Sequence, residues 1–504
     1  MKLSPTDRQE ASIQRVLEEE SHGALIAYAT GFGKTLITSE IILRAGWRRV
    51  LIIGVRDTAS QWDERMREQS DRLQSVRIIN SSKAGQAAFD DFMAGRDGIF
   101  FSGLEYMRSK DWETHDKIDP VTGKPELEID SKTGMPTGKT VRESKRTDVY
   151  GKMTRKFPLD AVVVDEIHKV ANRKTNGIKT LRSIKTDWRI GLSATWFGNA
   201  FSGAWAPAKW VFPEHVDGSS VRWVRDFCAT ETLYAGGKEI EKVVGERIPG
   251  SFVATLPCYL REEPEPEPEA LVMKVKLTPE QKAQYERLEK DKMAWLKSQH
   301  PEKGDDWEPL IVDLPIVERA RLRTAALGEM SFDADGEIQF AADCVSNKLS
   351  ALRFILDNKW AGMPVVVFCH SKRFAKVVHS RLVAAGYGAQ LWTGDQTGRE
   401  REEIKAKFIA KDASARYIVA VIDALREGVD GLQFASSRVI WLSRSDSAIY
   451  NEQALGRIWR RGMTSEYGEF QHIEIVSEST IDEKVRVTLS HTQAAARASM
   501  RTAA

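Results

Sequence analysis

The sequence predicts an α/β chain of two parallel-sheet lobes with a helical insertion between them, and three observations lead there. Short β-branched runs alternate with helical patterns over residues 23–195, and the same rhythm returns from Pro364. In addition, 504 residues with 42% apolar content exceed what a single core uses and suit two to four domains.

The first lobe is expected over residues 1–200. GALIAYAT reads as a buried strand followed by a helix after Thr35, and RRVLIIGV as a second strand followed by a helix from about Thr58. DGIFFSG, DAVVVDEIH and WRIGLSAT supply further strands. An insert at about 108–156 carries twelve Lys and Arg against nine Asp and Glu, and repeats a turn signature, DPVTGKP at 119–125 and DSKTGMP at 130–136. Asp, Thr-Gly and Pro at that spacing imply successive tight turns, either in a hairpin standing off the lobe or in a loose loop.

Residues 201–345 form the expected helical and linker region, rich in Trp and helix formers. Within it, REEPEPEPE at 261–269 reads as an extended solvated linker, since alternating Pro and Glu neither continues a helix nor buries a face. The second lobe is expected over 346–484, from PVVVFCHS, GAQLWTGD, RYIVAVID, SRVIWLS and FQHIEIV with intervening helices, and an Ala-rich tail follows at 485–504.

Charge and cysteine usage limit the function classes. Lys plus Arg number 74 against 72 Asp plus Glu, so a hold on a polyanion must come from local grooves and not from a bulk field. Cys228, Cys258, Cys344 and Cys369 lie far apart without paired metal spacing, which fits free thiols in a reducing cytosol. The start MKLSPTDRQEAS has no apolar leader core, and no run reaches the roughly 18 apolar residues of a membrane span, so a cytoplasmic protein without a membrane partner is expected.

The junction YATGFGKT carries the strongest local chemistry. Gly31 and Gly33 let backbone N–H groups approach phosphate oxygens, Lys34 offers an ammonium to the terminal phosphates, and the Thr35 hydroxyl can ligate Mg²⁺. The strict pattern wants Gly where Tyr28 stands, and a plain glycine turn is the competing reading. At the end of DAVVVDEIH, Asp165 can hold Mg²⁺ while Glu166 orients or deprotonates an attacking water; two solvated acids at a strand end are the alternative. His168 is either an ordinary exposed histidine or a relay. NEQALGRIWRRG is expected to set Gln453, Gly456, Arg457, Arg460 and Arg461 on one short helical stretch, with Arg457 and Arg460 on a shared face as arginine fingers or as part of a basic solvated helix.

In order along the chain, ATGFGKT, DEIH, GLSAT, ALREGVDGL and QALGRIWRR resemble the motifs of superfamily-two helicases. Within them the chain looks most like the Snf-type, chromatin-remodeler-like translocases, through VLIIGVRDTASQWDER, LTPEQKAQYERL at 277–288 and SNKLSALRFIL at 346–356. The resemblance covers about residues 3–484 and leaves out the 108–156 insert and the tail.

That resemblance implies two RecA-like lobes, ATP and Mg²⁺ as cofactors, and roles residue by residue. Gln9 matches the glutamine that reads adenine, and Thr30, Gly31, Phe32, Gly33, Lys34 and Thr35 form the nucleotide loop. Ser193 and Thr195 match the segment coupling hydrolysis to lobe movement, although Trp196 stands where proline often follows. Gly428 and Asp430 match the segment facing nucleotide and nucleic-acid backbone, and Gln453, Arg457 and Arg460 match the finger motif.

A nucleic-acid groove is implied near Arg56, Ser102 and Gly103 and near His370, Ser371 and Lys372, gripping backbone without reading bases. The implied activity is an ATPase motor translocating on DNA, duplex or branched, with RNA left open. Strand separation or branch migration is the rival use of the same engine, and a non-hydrolysing clamp is the rival from another class. A bacterial or viral genome-maintenance role suits a chain of this size.

Overall fold

The computed structural model describes residues 4–29, 31–70, 75–120, 122, 124–129, 136–198, 200–235, 238–262, 268–299, 316–332, 338–341, 343–425, 430–460 and 462–501. The chain falls into two units, Met1–Glu263 with Ala496–Ala504, and Pro264–Ala495. Residues 201–263 therefore group with the first unit, and most of the helical stretch after them with the second.

The first unit holds a seven-stranded sheet. Across it the strands run Tyr259–Glu262, Gly23–Tyr28, Thr186–Leu192, Leu159–Asp165, Arg49–Gly54, Gly98–Gly103 and Val76–Ile79, and each adjacent pair is parallel. All six residues of Gly23–Tyr28 and of Arg49–Gly54 are buried, which is why these strands read as continuous apolar runs instead of alternating. This order places the carboxyl ends of Gly23–Tyr28, Thr186–Leu192 and Leu159–Asp165 side by side although they are far apart in sequence.

The Trp-rich stretch packs onto this unit. Trp196, Phe197, Phe201, Trp223 and Phe252 are all buried, with ring centroids 5.2 to 6.3 Å apart in successive pairs from Trp196–Phe197 to Trp196–Phe252. Each such ring contributes roughly 2 to 3 kcal/mol by burial. An antiparallel hairpin, Cys228–Ala235 with Lys238–Glu246, is not among the expected elements. Its root is tied by the buried Glu246, which accepts from the backbone N–H groups of Gly250 and Phe252, both at 2.8 Å.

The 108–156 insert is an antiparallel arm, Trp112–Asp116 paired with Arg142–Arg146 and Leu127–Ile129 with Pro136–Thr140. Asp111 anchors it: fully buried, it accepts from Arg146 Nε at 2.9 Å and Thr180 Oγ1 at 2.7 Å. The 119–125 turn closes through Asp119 N–H to Lys124 O at 2.9 Å, whereas most of the expected 130–136 turn lies outside the described residues.

The second unit holds a six-stranded parallel sheet in the order Leu271–Val275, Gln471–Ser477, Arg438–Trp441, Val365–Cys369, Tyr417–Val421 and Ala389–Trp392. Its strands alternate between two cores: Val365, Val367 and Cys369 face one, Val366 and Phe368 the other. Most of the proline-glutamate run, 263–267, lies outside the described residues. All four cysteines are free and buried, and burial raises each thiol pKa, to about 12 at Cys228 and Cys258.

The stretches LTPEQKAQYERL and SNKLSALRFIL meet in one buried polar hub. Gln281 Oε1 accepts the Asn347 N–H at 2.9 Å, Asn347 Nδ2 donates to Ser477 Oγ at 3.2 Å, and Tyr285 Oη accepts the Ile481 N–H at 2.7 Å. Lys348, fully buried, donates to Leu442 O at 2.6 Å and pairs with Asp482. A buried ammonium is tolerated only with such partners, so the hub ties two helices and two strand ends into one arrangement.

Candidate active site

The first unit assembles its site at strand ends. Gly23–Tyr28 runs into the loop before the helix Lys34–Arg44, whose N-cap Gly33 has φ +81°. A methyl there would sit 2.6 Å from Gln9 Nε2, the end of a flexible side chain, so it is the backbone conformation that calls for glycine. Gln9 straps this loop, with Nε2 donating to Phe32 O at 3.0 Å. It also completes a capping box with Thr6 at the start of Asp7–Leu17, its Oε1 accepting the Thr6 N–H at 2.9 Å.

Tyr28 explains the departure from the strict loop pattern. It is the last strand residue, buried, with its hydroxyl paired to Ser12 on the neighbouring helix. Only its carbonyl belongs to the loop, accepting from Lys34 Nζ at 2.8 Å, with Ala29 O at 3.2 Å. Thr35 follows in the helix's first turn. Thr30 lies outside the described residues.

Asp165 and Glu166 end the strand Leu159–Asp165. Burial, and then the adjacent Glu166 charge, push the Asp165 carboxyl up to about 6, opposed by the Trp62 N–H and the Lys34 charge. Its Oδ2 accepts from Trp62 Nε1 and its Oδ1 from the Glu166 N–H, both at 3.1 Å. Glu166 sits at φ +54°, a left-handed conformation costly for a non-glycine residue and held by its surroundings.

Glu166, His168 and Ser193 form one network. The Ser193 hydroxyl donates to Glu166 Oε2 at 3.3 Å, and His168 Nδ1 lies 3.0 Å from Ser193 Oγ and 3.2 Å from Glu166 Oε2. With the single hydroxyl hydrogen committed to Glu166, Nδ1 must carry the imidazole proton. Thr195 is buried, its N–H donating to Ser193 Oγ at 3.3 Å. Trp196 anchors this segment in the aromatic cluster.

In the second unit, Asp430 is the focus. Burial opposes ionisation, but Arg460, Gln433, the Gly431 N–H and Arg457 together hold the Asp430 carboxyl below its usual range. Arg460 Nη1 lies 3.0 Å from Asp430 Oδ1, an ion pair without a directed hydrogen bond from Nη1. Arg457 and Arg460 are not on the helix expected of them. Ala448–Leu455 ends at its C-cap Gly456, and hydrogen-bonded turns, such as Trp459 N–H to Leu455 O at 2.9 Å, carry the chain onward. Gln453 remains on the helix, buried, its Oε1 without a hydrogen-bond partner among the described residues. Gly428 and Arg461 lie outside the described residues.

The expected nucleic-acid contacts divide. Arg56 is exposed at the carboxyl end of Arg49–Gly54, and Gly103 ends Gly98–Gly103 partly exposed. Ser102, however, is fully buried with its hydroxyl donating to Gly103 O at 3.4 Å, so a surface contact by its side chain does not follow from its position. His370 receives a hydrogen bond from, or donates one to, Ser443 Oγ at 2.7 Å through Nδ1, and burial with the nearby Arg323 and Lys348 charges lowers its pKa well below the ordinary range. It is therefore a neutral imidazole at pH 7. Ser371 caps Lys372–Ala384, accepting the Phe374 N–H at 3.3 Å, and the half-exposed Lys372 pairs with Asp395.

Trp62, Ser12 and the hub residues Gln281 and Asn347 were not expected as site or scaffold residues. Trp62 lies inside VLIIGVRDTASQWDER, but nothing in one sequence links it to an acid about a hundred positions onward.

Comparison with known proteins adds a family. Residues 2–198 match the family "Type III restriction enzyme, res subunit", and residues 347–462 match "Helicase conserved C-terminal domain". These two parts, on two parallel-sheet units, make the chain a helicase-type ATPase with two RecA-like lobes. Its two matched domains are of the superfamily-two helicase kind that the sequence motifs resemble.

Among curated relatives, it is 21% identical over 381 residues to "DNA excision repair protein ERCC-6-like 2" of Mus musculus, 64% of this chain and 24% of that protein. It is 21% identical over 252 residues to "Uncharacterized ATP-dependent helicase YqhH" of Bacillus subtilis (strain 168), 48% of this chain and 36% of that protein. The chain thus spans about a quarter to a third of the length of these relatives. The solved "Sulfolobus solfataricus SWI2/SNF2 ATPase core in complex with dsDNA" aligns over 99% of this chain and 94% of that one at 16% identity, with a TM-score of 0.37, too low to carry an inference of its own. Among the described residues no helix is long and apolar enough to cross a membrane.

Proposed function

We propose that the chain is a nucleic-acid-dependent ATPase that translocates on DNA, duplex more than single-stranded, to remodel or unwind it or to displace bound proteins. The observation that carries this is the junction of Lys34, Asp165 and the Glu166–His168–Ser193 network at three adjacent strand ends. A clamp that only binds has no chemical need for an acid held in a left-handed conformation beside a serine-histidine relay. The names of the mouse repair protein and the bacterial helicase point the same way.

The donor set fits Mg²⁺: Asp165 is a partly buried carboxylate next to a second acid, its charge favoured by the nearby Lys34, and Thr35 offers a hard hydroxyl oxygen. Thr35 and Asp165 would hold the ion, which supplies charge neutralisation at the phosphates. Lys34 leaves its two carbonyl partners to bind the terminal phosphates of ATP, and Glu166 accepts the proton of the attacking water. His168 and Ser193 hold the Glu166 carboxylate and report its state to Thr195. Arg457 and Arg460 supply the arginine charges that hydrolysis requires. Arg56, Gly103, Ser371 and Lys372 grip nucleic-acid backbone without sequence reading.

ATPase rates with single-stranded, duplex and branched DNA and with RNA, alongside triplex displacement and fork unwinding, test this reading. Duplex-stimulated turnover with triplex displacement supports translocation; fork unwinding without triplex displacement favours the strand-separating alternative. Lys34→Ala is expected to abolish turnover, and wild-type rates in that variant refute the site. The arm at 112–146 is proposed as an extra duplex grip or wedge. Its deletion should keep nucleotide binding, and unchanged unwinding and DNA-stimulated ATPase would remove it from the mechanism.

A further inference from the structure

Trp62 lies on the helix Ala59–Gln69 and is among the largest fully buried side chains of the molecule. Its ring is packed in the first unit's core, which also holds Ala59 and Met66 of the same helix. From there its indole Nε1 donates to Asp165 Oδ2 at 3.1 Å, while the Glu166 N–H takes Oδ1 at 3.1 Å. A carboxylate turns readily about its last side-chain torsion, which is broad and shallow. One donor on each oxygen removes that freedom, and the indole is the donor that comes from a different element and cannot itself move. The backbone donor alone leaves Oδ2 free to swing.

We infer that Trp62 is a positioning residue for Asp165, holding the plane of the carboxylate in the orientation from which its remaining lone pairs meet a divalent cation. This rests on the ATP and Mg²⁺ reading of the site. Groups that orient metal-binding carboxylates typically change metal affinity about 10- to 100-fold when removed.

The test uses the full chain and a fluorescent N-methylanthraniloyl-ADP, titrated with Mg²⁺ and also bound in EDTA. Trp62→Phe, which keeps a ring but loses the N–H, is expected to raise the half-saturating Mg²⁺ roughly tenfold or more, with binding in EDTA unchanged. Replacing residue 62 with benzothienylalanine, which has the shape of tryptophan without the N–H, should do the same even where Trp62→Phe does not fold. Met66→Ala perturbs the same helix and core without removing a hydrogen bond to Asp165, and should leave the Mg²⁺ requirement unmoved. An unchanged Mg²⁺ requirement in the benzothienylalanine protein overturns the inference, as does an equal rise in Met66→Ala. Failure of the wild-type chain to bind the nucleotide at all would instead strike the reading of the site.

Discussion

The two units prepare their functional side chains differently. In the first, each principal group is held by more than one partner: Lys34 by two carbonyls, Asp165 by an indole and a backbone N–H, Glu166 by Ser193 and His168, Gln9 by Phe32 and Thr6. In the second, Arg460 rests on Asp430, and Gln453 is buried with an oxygen that has no hydrogen-bond partner among the described residues. The metal and water positioning proposed for the first unit needs groups fixed to fractions of an ångström, which hydrogen bonds converging from several elements supply. Arg457 and Arg460, proposed to stabilise charge during the reaction, stand on turns beyond a helix end instead of on a strand end.

That contrast can be broken by experiment. Arg457→Ala and Arg460→Ala are each expected to lower turnover on the order of 10³- to 10⁵-fold while leaving nucleotide affinity near wild type, because their contribution is confined to the reaction. Comparable losses of affinity and turnover would show instead that they are ground-state ligands. Glu166→Gln should lower turnover about 10²- to 10⁴-fold with the nucleotide still bound, measured in single-turnover assays. Wild-type turnover would remove Glu166 from its role.

Smaller effects sharpen the comparison. Ser193→Ala deletes one hydrogen bond to Glu166 and should slow DNA-stimulated ATPase about fivefold, consistent with a bond worth about 1 kcal/mol. A change in basal rate with no change in DNA stimulation would argue against coupling. The mildest concerns the second unit's scaffold. His472 accepts from Trp441 Nε1 at 3.2 Å and faces Pro268 O at 2.7 Å, and burial lowers its pKa to about 4. Because the folded value lies below the unfolded one, its contribution to stability is whole above about pH 6.5 and is lost as pH falls towards 4. Histidine NMR should show it neutral at pH 5.5; a midpoint near 6.5 contradicts the buried arrangement.

The local setting of the proposed site was legible in the chain. Gly31, Gly33, Lys34 and Thr35 follow from a glycine-bearing loop between a buried strand and a helix, and Asp165 and Glu166 from an apolar run that ends in two acids. Less was legible where the fold decides exposure. Ser102 looks like any strand-end serine, yet it is buried, and His370 looks like a polar contact, yet two cations and burial keep it neutral. Arg457 and Arg460 have helical spacing, but Gly456 ends the helix before them.

What the amino-acid order determined by itself is local: which stretches become strands, which loop tolerates positive φ, and which residue types stand at the ends of those strands, because these depend on neighbours within a few positions. What only tertiary structure decided is adjacency. Parallel strands joined by crossovers bring residues 23–28, 186–192 and 159–165 together out of sequence order, and only then do Ser193, His168 and Trp62 reach the two acids. Hydrogen bonds act over about 3 Å in space regardless of separation along the chain, so those partners become visible only once the sheet has formed.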